Sequence, residues 1–173
     1  FVLIIGLWFL AYRWPQGIHA TFSRHAAARN LTIWYYIVLF VVALPILFVF
    51  FAFWFVPYFN LSRWFLVIVG LSEILQHIVT FIPEVGGWKS KWHGILTACS
   101  AVLLLPALLI VISSAAIGPA GKAIAAICLL VMVSIVAYQV FKPESQKPRY
   151  LLLFQAAYYG AFFAAIISVT YLS

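Results

Sequence analysis

Five long apolar stretches, each near the roughly 20 residues a helix needs to cross about 30 Å of hydrocarbon, decide what this chain folds into. They run from Leu31 to Val56, Trp64 to Ile82, Gly94 to about Ser113, Ala120 to Phe141 and Tyr150 to Leu172. A sixth stretch, Phe1 to Tyr12, is shorter. It lacks the charged leader and small-residue cleavage site of a signal peptide, and is expected to be the tail of a transmembrane helix whose beginning is absent. In lipid a helix satisfies its own backbone hydrogen bonds, so the expectation is an all-α, polytopic bundle of about six spans, forming one domain over residues 1–173. Composition agrees: 8% of the residues are charged and 67% hydrophobic, where a soluble domain carries about 25% charge. Pro45, in the middle of the second stretch, is expected to kink it.

The cations set a direction. Arg13, Arg24 and Arg29 fall between the first two stretches, Lys89 and Lys91 between the third and fourth, and Lys142, Lys147 and Arg149 between the last two. Only Arg63 and Lys122 fall on the other side. The bias predicts that the first three connections face the cytoplasm and both visible chain ends face outward. It also accounts for the net charge of +7 without nucleic acid, since no run of Lys and Arg tracks a phosphate backbone. Trp34, Tyr35, Tyr36, Trp54, Tyr58, Trp64, Trp88, Trp92, Tyr150 and Tyr171 read as anchors at the two interfaces.

The longest connection, Arg13 to Asn30, holds Ser23, His19 and His25; both histidines are expected to be solvated or interfacial. It either lies on the anionic leaflet or only signals topology. Cys99 and Cys128 fall at different depths of their helices and make a poor disulfide pair. In the last stretch Ala156, Gly160, Ala164 and Ser168 form a stripe of small residues. Such a stripe lets helices approach closely, either within the bundle or as a homo-oligomer seam.

The unusual chemistry is concentrated between Leu71 and Gly94. The chain has three acidic residues and no Asp, and two of the three, Glu73 and Glu84, lie here with His77 and His93. On a helix Gly70, Glu73, His77, Thr80 and Glu84 share a face, with Gln76 alongside. Glu73 falls near mid-bilayer, where a charged acid costs about 2.5–3.5 kcal/mol on insertion scales, and His77 is its expected partner. His93, Thr97 and Ser100 form a matching face on the next helix, and Ser134, Tyr138, Gln139 and Gln155 lie toward the same end. The expectation is an inward-opening polar cavity with Glu73 at its floor and His93 at its rim. Such a site suits a lipid head group, another small ligand or a proton relay. The alternatives are zinc held by Glu73, His77, Glu84 and His93, a Ser100–His93 nucleophile, or a network that only sets packing. No cofactor is implied by any motif.

The segment Phe81-Ile-Pro-Glu-Val-Gly-Gly-Trp-Lys-Ser-Lys-Trp-His-Gly94 resembles the bacterial six-helix membrane family known as domain of unknown function 998. The shared element is a Pro-acid-Gly turn followed by a His that opens the next helix, here Pro83, Glu84 and His93. The resemblance implies a six-helix bundle in a bacterial inner membrane and brings no activity, substrate or cofactor. Ceramidase-like membrane hydrolases are a more distant comparison. They hold zinc with several histidines and an Asp, and this chain has no Asp.

Overall fold

The computed structural model describes residues 2–16, 20–82, 84, 86–141 and 151–172. Among them there is no strand, and the chain forms seven helices. These are α1 (Val2–Arg13), α2 (Phe22–Ala27), α3 (Asn30–Tyr58), α4 (Trp64–Thr80), α5 (Gly87–Ser113), α6 (Pro119–Phe141) and α7 (Leu151–Leu172). Four of them, α3, α5, α6 and α7, are long and apolar enough to cross a membrane; α1 and α4 are apolar but shorter.

Helix α3 continues through Pro45 and leaves regular α geometry further on, in a π turn at Phe51–Phe55. There the Val56 amide reaches back five residues to the Phe51 carbonyl. The turn places Phe51 and Phe55 inward, both fully buried. Phe51 meets Phe65 of α4 edge-on at 5.2 Å and Phe162 of α7 at 6.5 Å. These rings start the larger of two apolar cores, which runs on through Leu108, Met132 and Val169. The smaller core joins α1, α2 and the first half of α3, with Leu10, Phe22, Tyr36, Phe40 and Leu152.

Two ends of the bundle can be told apart by what their connections touch. At one end the Ser114 hydroxyl donates to the Phe59 carbonyl at 2.8 Å, tying the α5–α6 turn to the α3–α4 turn. At the other, side chains before and within α2 bond Glu84 of the α4–α5 turn, and the Phe22 amide donates to Gln155 of α7 at 3.1 Å. The α4–α5 turn ends on Gly86 and Gly87, with φ of 95° and 62°, a conformation glycine adopts without strain.

Several expectations change here. The connection from Arg13 to Asn30 contains α2, capped by the Thr21 hydroxyl accepting from the Arg24 amide at 3.1 Å. His25 is on its inner face and 1% exposed, not solvated, because its Nδ1–H donates to the Thr21 carbonyl at 2.8 Å. His19 lies outside the described residues, as do Lys142, Lys147, Arg149 and Tyr150. Helix α5 begins at Gly87, so Lys89 and Lys91 sit in its first turns and not in a loop. Tyr36 is buried, not an interfacial anchor, although Trp34, Tyr58, Trp64, Trp88, Trp92 and Tyr171 are well exposed. The small-residue stripe is not the packed face of α7. That face is Leu152, Tyr158, Phe162, Ala165, Ile166 and Val169, and a Cβ added at Gly160 would meet nothing within 4 Å. The larger side chains of that face, Tyr158, Phe162 and Ile166, bury more apolar area and take the contact. Cys99 and Cys128 are both free.

Candidate functional site

Helix α4 turns Phe65, Val69, Ser72, Glu73, Gln76, Val79 and Thr80 toward the protein. The apolar members lock the helix against its neighbours, and the polar ones are carried inward on the same face. Ser72 and Ser100 form a clasp with α5. Ser72 Oγ lies 2.9 Å from the Ser100 carbonyl, Ser100 Oγ lies 3.0 Å from the Ser72 carbonyl, and the two hydroxyls are 3.0 Å apart. This pair is fully satisfied and fixes the register of the two helices. Gln76 donates from Nε2 to the Tyr159 hydroxyl of α7 at 2.6 Å. Thr80 donates to the Gln76 carbonyl at 2.7 Å, so its hydroxyl is used within its own helix.

Glu73 is 8% exposed and differs from all of these: its Oε1 is buried and has no hydrogen-bond partner. His77 does not pair with it. The imidazole Nδ1 lies 2.9 Å from the Glu73 backbone carbonyl, one turn back. A carbonyl only accepts, so Nδ1 carries the proton. His93 is held the same way by the Ile82 carbonyl at 2.6 Å, and its Nε2 is left as the free ring nitrogen. The second buried orphan is Thr97 Oγ1, on α5.

The residues that carry both orphans, Glu73 and Thr97, line one cavity of about 70 Å3, together with Gln76, His93, Gln155 and Tyr159. A water needs about 10–15 Å3 of such space, so the cavity admits a small polar group. Aromatic side chains form part of its walls, with Phe22, Tyr36, Phe40, Phe51, Phe162 and Phe163. His93, Thr97, Gln155 and Tyr159 also line a larger groove of about 420 Å3 between α5, α6 and α7. The groove is polar near Thr21, Glu84 and Gln139 and apolar along Val102, Ile135, Val136 and Phe154. The two spaces therefore share a wall of four polar side chains.

Glu84 is not part of the Glu73 face. Helix α4 stops at Thr80, and Glu84 lies in the turn beyond it. There it accepts hydrogen bonds from Thr21, from Ser23 Oγ at 2.7 Å and from Arg24 Nε at 2.7 Å. Burial pushes its carboxyl up, but the bonds from Thr21 and Ser23 and the charges of Arg24 and His93 pull it down. The second set wins, and the group sits below the ordinary carboxylate value.

The structure thus brings together Glu73, Gln76, His93 and Thr97 and leaves His77, Thr80, Glu84 and Ser100 in other roles. Among the described residues no three His, Cys, Asp or Glu side chains converge, so Glu73, His77, Glu84 and His93, the candidate zinc ligands, are not gathered into one group. Ser100 is bound to Ser72 and not to His93. Gln155 does line the cavity, whereas Ser134 is exposed and Tyr138 stacks on Phe154. Tyr36, Tyr159 and Phe22 line the cavity without having been marked by the sequence as site residues, because aromatics in apolar stretches look like anchors or core. No protein-family model, no curated protein and no solved structure matches this chain.

Proposed function

We propose that this chain is a six-span inner-membrane protein that binds a small polar ligand, or the head group of a lipid-like molecule, in the cavity at Glu73. One observation carries the reading. Two buried polar atoms without partners, Glu73 Oε1 and Thr97 Oγ1, belong to residues on different helices that line the same cavity. Folded proteins rarely leave buried polar atoms unsatisfied, and each one costs about 1–3 kcal/mol. A ligand that bonds both atoms removes that cost. The role is non-enzymatic, binding or moving the ligand. In this reading α1 and α4 also span, despite their length. The connections carrying Arg13, Arg24 and Arg29, Lys89 and Lys91, and Lys142, Lys147 and Arg149 face the cytoplasm. The likeness of the Pro83–His93 segment to domain of unknown function 998 supports the same six-helix layout.

Native mass spectrometry of protein released from nanodiscs of bacterial inner-membrane lipid tests the proposal. Wild type should carry a bound small molecule. Thr97→Phe, which fills the wall shared by the two spaces, should lose it while keeping its elution volume. A wild type without adduct, equal in thermal stability to a correctly folded Thr97→Phe, would show the cavity to be a packing defect.

A further inference from the structure

We infer that the ligand of the Glu73 cavity is a cationic amine with an alkyl tail, its ammonium head in the cavity and its tail in the adjoining groove. The inference rests on the cavity being a ligand site, as proposed above, and adds the chemical class. The charge balance comes first. The titratable side chains lining the cavity are Glu73 of α4, His93 of α5, Tyr36 of α3 and Tyr159 of α7, and no described lysine or arginine lines it. Arg24, the cation nearest in sequence to the cavity's α2 wall, is committed to Glu84 outside it. So no described lysine or arginine is paired with the Glu73 carboxyl.

The hydrogen-bonding pattern points the same way. Glu73 Oε1 is an acceptor without a donor. His93 donates from Nδ1 to the Ile82 carbonyl, so when the ring is neutral it offers the cavity only the Nε2 lone pair. Thr97 Oγ1 can accept as well. A ligand with several N–H donors matches these acceptors, and an ammonium is such a ligand. The aromatic walls add to it, because the faces of Phe and Tyr rings attract a desolvated cation, and Tyr36, Phe40, Phe51 and Phe162 all border the cavity. An anion would meet the carboxylate and the same rings unfavourably.

The tail follows from the second space. The cavity of about 70 Å3 holds a head of few atoms, and the groove of about 420 Å3 beside it is lined by Val102, Ile135, Val136, Val140 and Phe154. The shared residues His93, Thr97, Gln155 and Tyr159 mark where head and tail would join. An amine on an alkyl chain fits both spaces at once.

Three probes with one tail separate head chemistry from hydrophobicity: hexylammonium, 1-hexanol and hexanoate. Each is titrated calorimetrically at pH 7 into nanodisc-embedded wild type, with empty nanodiscs subtracted. Hexylammonium should bind at least about tenfold more tightly than 1-hexanol, and hexanoate should not bind. In Glu73→Gln the amine's advantage should shrink to about twofold or less. Glu73→Asp, which keeps an ionisable carboxyl, should retain a preference for the amine and so guards against a misfolded first variant. Equal binding of hexanol and hexylammonium to wild type overturns the cation inference while leaving a ligand site in place. Binding of none of the three overturns the cation inference and the cavity reading together. A preference for the amine that survives Glu73→Gln, or is unchanged in Thr97→Phe, places the amine elsewhere and also overturns the inference.

Discussion

Replacing Glu84 should loosen the end of the bundle where α2 meets the α4–α5 turn, and its size can be worked from the bonds it makes. Glu84 accepts from Thr21, Ser23 and Arg24. A hydrogen bond to a charged group contributes about 1.5–3 kcal/mol. Arg24 is half exposed, so solvent screens its share to about 1 kcal/mol or less. The three bonds share one carboxylate and are not additive. Glu84→Ala should therefore cost about 2–4 kcal/mol, and Glu84→Gln, which keeps one acceptor oxygen, roughly half of that. On the scale of soluble domains of 150–250 residues, the alanine variant should melt roughly 5–15 °C lower. The pH dependence has a definite sign. The folded-state value lies below the unfolded one, so Glu84 contributes its stability above the ordinary carboxylate value of about 4.3. That contribution is lost as pH falls through the folded value. Melting temperatures in detergent between about pH 6 and 3 should fall more steeply for wild type than for Glu84→Gln, and amide exchange over residues 21–27 should rise in Glu84→Ala. Parallel curves for wild type and Glu84→Gln, with unchanged exchange, would show that the Glu84 bonds do not hold α2 in place.

Further outcomes can be checked independently. Ser72→Ala or Ser100→Ala alone leaves a buried partner unsatisfied and should cost about 1–3 kcal/mol, while the double variant should cost less than the sum, read by a double-mutant cycle of melting temperatures. Gly160→Leu should leave stability within about 0.5 kcal/mol, since nothing lies within 4 Å of its Cβ position, whereas Gly70→Leu must displace the Phe48 ring at 3.2 Å and should lower the melting temperature clearly. A change in particle size for Gly160→Leu at unchanged stability would assign the stripe to a homo-oligomer contact. In a background with Cys99 and Cys128 replaced by Ala, cysteines at positions 29, 89 and 147 should react only from the cytoplasmic side and those at 63 and 122 only from outside. The reverse labelling would sink the proposed orientation.

How much of this was legible beforehand depended on the kind of signal. The long helices α3, α5, α6 and α7 follow from apolar length alone, because a uniformly hydrophobic helix needs no periodicity to be recognised. Helix α2 and the first turns of α5 were read as loop, since Lys, Arg, Ser and His dominate them and carry no apolar run. The Thr21 cap before α2 was the available clue. Within α4 the burial of Glu73 and Gln76 was foreseen from the face they share. Ser72 on the edge of that face was passed over, though it holds Ser100. The pairing of Glu73 with His77 failed for a local reason: a histidine can turn its Nδ1 onto the carbonyl four residues back, and spacing cannot distinguish that from a side-chain pair. Glu84 was misplaced because a helical face was extended past the point where the helix stops. Which face of α7 packs was decided by partner helices, which a single helix's small-residue spacing does not contain.

If a ligand completes Glu73 Oε1 and Thr97 Oγ1, an experimental map of the protein in a lipid nanodisc, prepared with and without hexylammonium, will reveal it. Ordered density is expected within about 3.2 Å of both atoms when the amine is present, continuing into the groove beside Val136 and Phe154. A closed cavity in both maps, with Glu73 and Thr97 bonded to other protein groups, would contradict it.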